Sequence, residues 1–300
     1  MGPRQWLMLL SLSLLWGGSF FFVNVAVAEL SPLWTVTLRV VFAALVITAY
    51  LLLSGRTMGL TPRLFGAFVI MGFLSNALPF TLIAWGQMSI TAGLASMLNA
   101  ATPIFTMIVA GLLLADERFT LLRVLGALIG AIGVGTMIGP SAMSFGSSAL
   151  LPQLAVLTAT VSYAFGTVYG RRFTAMGLDP VVIALGQLLG SSALLLPVAL
   201  GVEGPQALYT ISLKTALAIG GLGVVSTAIA YLLFFRLLAE AGATNTVLVT
   251  LLVPVSATLL GIGLLGETVE PYQLLGITII ALGLSLIDGR LWRRRVSSTA

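Results

Sequence analysis

Arg39 is the basic side chain that lies deepest inside an apolar stretch of this sequence, seven residues beyond Pro32 and about 10 Å along a helix from it. An ionised group at such depth in hydrocarbon is costly, and it normally faces a bundle interior or a wet cavity. Two chemistries fit. The guanidinium could attract a carboxylate brought by a substrate, or it could donate to backbone carbonyls at the broken end of a neighbouring helix as a structural lock. No acid accompanies it: Glu29, Asp116, Glu117, Asp179, Glu203, Glu240, Glu267, Glu270 and Asp288 all map to the ends of apolar runs or to turns. Cysteine and histidine are absent from the chain, which removes thiolate and imidazole ligands and histidine acid-base chemistry. Neither an activated nucleophile nor a buried acidic pair is present, so the pattern points away from an enzyme and calls for no metal and no cofactor. The missing mid-depth carboxylate also argues against the simplest exchange of a proton for a cationic drug, and for zwitterionic or neutral cargo.

Cargo of that kind would be held by hydroxyls, amides, aromatic faces and exposed backbone. The candidates are Trp16 and Ser19, Asn76, Pro79 and Phe80, Asn99, Tyr163, Ser226 and Tyr231, and Asn245. Each has a second explanation, since Ser, Thr and Asn also tie helices together at about 1 kcal/mol or less and Trp or Tyr near a span end anchors the membrane interface. Trp16 and Tyr163 stand at mid-span, where the interfacial role does not apply. Pro103 and Pro254 each remove a backbone hydrogen bond inside an apolar run and predict kinked helices, either hinges beside a substrate path or static bends. Gly126, Gly130 and Gly133, with Gly276 and Gly283, make small-residue faces suited to close helix packing or to a dimer contact.

The elements that must position these residues are membrane helices. A chain that is 59% hydrophobic and 8% charged is an all-α integral membrane protein, because it lacks the polar surface of a soluble domain. Apolar runs of about 20 residues fall at roughly 5–28, 32–54, 63–87, 91–114 and 119–138, then at 149–170, 180–201, 212–238, 243–265 and 271–288. The first is longer than the roughly 7–15 residues of a signal-peptide core, so Ala26-Val27-Ala28 is read as part of a retained helix.

The second five runs repeat the first. Pro103 and Pro254 are 151 residues apart, and Glu117 with Glu267, Gly126 with Gly276, and Gly133 with Gly283 are each separated by 150. Upstream, Ser75-Asn76 matches Ser226-Thr227, Phe80 matches Tyr231, Pro32 matches Pro180, Arg39 matches Gln187 and Trp16 matches Tyr163. The expected organisation is a five-helix repeat at 1–138, a linker at 139–148, a second repeat at 149–289 and a basic tail at 290–300. Arg4, Arg56, Arg63, Arg118, Arg123, Arg171, Arg172, Arg236, Arg290, Arg293, Arg294 and Arg295 fall on one side of such a layout, and only Lys214 on the other. Basic loops stay cytoplasmic, so both termini are expected there. Five crossings are an odd number, and the second repeat must therefore be inverted. The net charge of +5 is accounted for by this topology rather than by a nucleic-acid partner.

The stretch LLWGGSFFFVN, Arg39 in the second span, TPIFTMIVAGLLLADE followed by Gly126 and Gly133, and VPVSATLLGIGLLGE followed by Gly276 and Gly283 resemble the EamA-type transporters of the drug/metabolite transporter superfamily. The similarity covers essentially the whole chain and is strongest to the bacterial ten-helix amino-acid and metabolite exporters, including the aromatic amino-acid exporters. That resemblance implies a central cavity between the repeats, alternating access, export across the bacterial inner membrane, and weight on Trp16, Arg39, Pro103, Pro254 and Tyr163. The first repeat has Asp116-Glu117 where the second has Gly266-Glu267, and the glutamate is kept. The expected function is export of amino acids or similar small metabolites, with a multidrug or other metabolite carrier as the alternative and a channel behind it. The partners are then a small-molecule substrate and membrane lipid, with the state, monomer or homodimer, left open.

Overall fold

A bilayer offers no water to an unpaired backbone group, so a spanning chain becomes helix or closed barrel. The computed structural model describes residues 2–115, 119–139, 150–246 and 248–288. Among these residues it forms ten apolar helices: α1 Pro3–Ala26, α2 Pro32–Leu53, α3 Pro62–Gly86, α4 Ala92–Leu113, α5 Leu121–Ile138, α6 Leu150–Ala175, α7 Pro180–Val202, α8 Leu213–Ala241, α9 Val249–Leu265 and α10 Pro271–Asp288. Nine are long and apolar enough to cross a membrane, and α9 is the shorter one. It follows a separate helical turn, Ala243–Thr246, so the expected run 243–265 is divided. Asp116 and Glu117, the linker past Gly139 and the tail 290–300 lie outside the described residues.

Local chemistry marks the helix starts. Hydroxyls of Ser31, Thr61, Thr91, Thr120 and Ser212 accept the orphan N–H three residues on, and the Asp179 carboxylate accepts that of Val181, two residues on. Pro32 and Pro180, matched in sequence, each follow such a cap at the first helical position, where a missing N–H costs nothing. Two helices contain a π-type wide turn at corresponding places, Phe73–Ala77 in α3 and Gly221–Ile229 in α8. These hold Ser75-Asn76 and Ser226-Thr227, the pairs aligned by the repeat.

Contacts between the halves come in matched sets. α1 packs on α8 as α3 packs on α6, α1 on α9 as α4 on α6, and α3 on α7 as α2 on α8. Self-matched pairs α2–α7, α4–α9 and α5–α10 complete the pattern of two inverted five-helix repeats. The tightest is α5–α10, built by glycines: a Cβ on Gly126 would stand 2.6 Å from the Gly283 carbonyl oxygen, and one on Gly133 would stand 2.8 Å from that of Gly276. The small-residue faces are thus filled within one chain.

Loops gather at two ends. One holds the ion pairs Arg56–Asp179 at 2.9 Å and Arg4–Glu240 at 3.2 Å. At the arginine-poor end Glu29 accepts from the backbone N–H and the hydroxyl of Ser212, both at 2.8 Å. These bonds hold the Glu29 carboxyl below its usual range. The tie is therefore complete above the ordinary glutamate value of about 4.3, and is lost as pH falls through the lowered one. Glu29→Gln should melt below wild type by a constant margin from neutral pH to about pH 4.3, with the margin closing in stronger acid. Melting curves across that range check it, and a margin that widened on acidification would contradict it.

Candidate functional site

Between the repeats lies a cavity of about 360 Å3, within the roughly 300–1,000 Å3 of small-molecule sites. Its wall is largely apolar and aromatic, with polar groups at separate points. Trp16 and Ser19 come from α1, Arg39 from α2, Phe80 from α3, Asn99 from the middle of α4, Tyr163 from α6, and Ser226 and Tyr231 from α8. The Trp16 ring lies 5.4 Å from that of Phe234, and Phe80 meets Tyr163 edge-on at 6.3 Å. Ser19 is turned to its own helix, donating to the Trp16 carbonyl at 2.7 Å.

Arg39 is buried, 8% exposed. Its Nε donates to Thr227 Oγ1 at 3.0 Å, and its guanidinium carbon sits 3.6 Å from the centre of the Phe80 ring. The Thr227 hydroxyl in turn donates a hydrogen bond to the Leu222 carbonyl at 2.7 Å, inside the wide turn of α8. The tie to the neighbouring helix therefore runs through a side-chain hydroxyl. Tyr163 and Tyr231 line the same cavity, and the ring beneath the guanidinium adds a cation–π contact. Among the described residues no carboxylate pairs with it.

Three expected residues are not in the wall. Asn76 is fully buried behind it, accepting from the Tyr231 hydroxyl at 3.3 Å and donating to Ser191 at 3.4 Å. Pro79 is buried in helix packing. Asn245 lies in the turn before α9 and donates to the Ala241 carbonyl at 2.9 Å. The wide turn in α3 aims Ser75 into the cavity and its neighbour Asn76 away from it.

The prolines differ from each other. Pro103 follows a break at Ala100-Ala101 that splits α4 into Ala92–Asn99 and Thr102–Leu113. The Asn99 carbonyl, left without its helical donor because Pro103 has no N–H, accepts instead from the Thr102 hydroxyl at 2.7 Å. Pro254 stays within continuous helix, and the described break in its span precedes it, at the turn of Leu248.

Several wall residues had no singular sequence signal. Gln87 and Phe234 are examples: the first sits one residue past α3, and the second is one more aromatic in an apolar run. Three polar atoms of the wall have no partner among the described residues, Gln87 Oε1, Asn99 Oδ1 and Ser226 Oγ. Unpaired buried acceptors are expensive unless a ligand or water meets them. Above the cavity, at the arginine-poor end, Glu267 Oε1 accepts from Ala92 N at 2.6 Å and Oε2 from Gly93 N at 3.0 Å. This carboxylate of one repeat thus caps a helix of the other.

The chain matches the EamA-like transporter family over residues 4–139 and again over 150–288. It is 29% identical over 284 residues to the uncharacterized inner membrane transporter YedA of Escherichia coli, covering 93% of this chain and 89% of that one. To a probable amino-acid metabolite efflux pump of Salmonella typhimurium it is also 29% identical, over 95% and 94% of the two chains. A solved crystal structure shares the fold at a TM-score of 0.68, with 20% identity over 99% of both chains.

Proposed function

Because the chain belongs to the EamA-like transporter family, we propose that it exports amino acids or similar small metabolites across the bacterial inner membrane by alternating access through the central cavity. The observation that carries this reading is the wall itself: aromatic faces, one buried guanidinium and unpartnered amide and hydroxyl oxygens in a space of metabolite size. The direction follows the Salmonella relative, named as an efflux pump. The arginine-rich end with both termini is cytoplasmic. The arginine-poor end is periplasmic and shut, since the first half of α4 packs on α9 there and Glu267 clamps its start, whereas the second half of α4 turns away to α6. The break before Pro103 is the flexing point of α4, and Pro254 is its partner in α9.

Purified protein in liposomes loaded with a panel of labelled amino acids tests the reading. Saturable release with counterflow is expected. Conductance without saturation would make it a channel, and movement of a hydrophobic drug with no amino acid moving would favour the multidrug alternative. In the same assay Trp16→Ala and Tyr163→Ala should each lower counterflow about ten-fold, the loss of roughly 1.4 kcal/mol of ring contact, while the purified proteins elute and melt as wild type does. Wild-type rates in both variants would remove the two rings from the path.

A further inference from the structure

Arg39 is the one charged side chain among the described residues of the cavity wall, and its own bonds leave it unfinished. Nε is spent on Thr227 and one face on Phe80. The two terminal amino groups have no acceptor among the described residues. Ser226, next to Thr227 in the wide turn of α8, presents a hydroxyl that is equally unpartnered, and it is 1% exposed. A buried cation without a counter-charge is unfavourable, and removing the deficit requires an anion with hydrogen-bond acceptors. The planar fork of a guanidinium matches a carboxylate through two parallel N–H···O bonds.

We propose that Arg39 and Ser226 form a seat for a single carboxylate, so that the cargo must present one. This rests on the transporter reading above and narrows its substrate class. One cation is available, which suits a monoanion, whereas a phosphate group brings a charge of about −1.5 to −2 and would need a second. The rest of the cargo lies among Trp16, Tyr163 and Phe234, and the oxygens of Asn99 and Gln87 accept from any N–H it carries. Gln87 is oriented for this, because its Nε2 is held by the Phe20 carbonyl at 2.8 Å and its oxygen is the free end.

The test uses binding apart from transport. Phenylacetate and phenylacetamide have nearly the same size and differ in charge, and each is titrated into the purified protein while its melting temperature is followed. Phenylacetate should stabilise the wild type saturably, at a concentration at least about ten-fold lower than the amide. Inorganic phosphate should be weaker than phenylacetate. Arg39→Gln should bring the acid and the amide to parity, and Ser226→Ala should narrow the gap. If Arg39→Gln does not fold, the wild-type comparison decides alone: equal binding of acid and amide, or no binding of the acid, overturns the seat, and tighter phosphate overturns the choice of anion. Counterflow of L-phenylalanine and L-phenylalaninamide separates the two claims. Equal transport of both sinks the seat and leaves the carrier, whereas discrimination in binding without movement of any amino acid sinks the export reading and leaves the seat.

Discussion

Glu267→Ala protein should expose the cavity to reagents arriving at the arginine-poor end. In wild type the carboxylate takes two backbone N–H groups at the start of α4, at 2.6 and 3.0 Å, where the helix dipole also favours negative charge. Hydrogen bonds to a charged group contribute about 1.5–3 kcal/mol each, and water recovers part of this at a helix end. A net loss of about 2 kcal/mol shifts the balance between shut and open roughly thirty-fold. The chain is free of cysteine, so a single introduced thiol reports without background. Ser96→Cys places one in the wall, 1% exposed and one turn past the clamp. Its labelling by a membrane-impermeant maleimide from that side should rise at least ten-fold when Glu267 is also replaced. Glu267→Gln, which keeps one acceptor and loses the charge, should fall between. Unchanged labelling in both would mean that the clamp does not hold this mouth.

A larger loss is expected when the glycine contact of α5 with α10 is filled. A Cβ on Gly283 would stand 2.5 Å from the Gly126 carbonyl oxygen, and one on Gly276 would stand 2.8 Å from that of Gly133. The obstructing atoms are backbone, which no rotamer change can move aside, so Gly283→Leu should exceed the roughly 1–3 kcal/mol typical of overpacking. Against a total stability of about 5–15 kcal/mol, that predicts little monodisperse protein and a lowered melting temperature. Gly135→Leu is the matched control, because nothing stands within 4 Å of its added carbon on the same α5. Comparable yields of the two variants would show that the pair tolerates separation.

How much of this was legible beforehand depends on the kind of signal. Ten helices, their inversion and the α5–α10 glycines were readable because apolar length, charge placement and repeat spacing are properties of the chain itself. Arg39 was readable as a charge deep in its span and Tyr163 as an aromatic at mid-span, and Phe80, Asn99, Ser226 and Tyr231 as polar or aromatic groups within the apolar runs. What was not readable was direction. Helices buried on several sides show no polar face to separate Asn76, which turns to Ser191, from Ser75, which turns to the cavity. The wide turns in α3 and α8 alter helical phase locally and have no composition of their own. Glu267 stood out as a repeat marker, yet its partner Ala92 is 175 residues away, a pairing only the fold reveals. Thr227 shows the same limit, as a polar residue whose bond to Arg39 crosses the repeat boundary.

The bounds of α5 have a consequence for the surrounding lipid. Thr120 caps its start and Gly139 ends it, so its 18 residues measure about 27 Å along the axis, and tilt can only shorten that reach across a hydrocarbon layer of about 30 Å. With α10 alongside and much of both surfaces turned outward, the bilayer must thin by a few ångströms at this flank. Acyl-chain length thus becomes a variable of the protein's working state, and shorter-chain phospholipids should match this flank better than long ones.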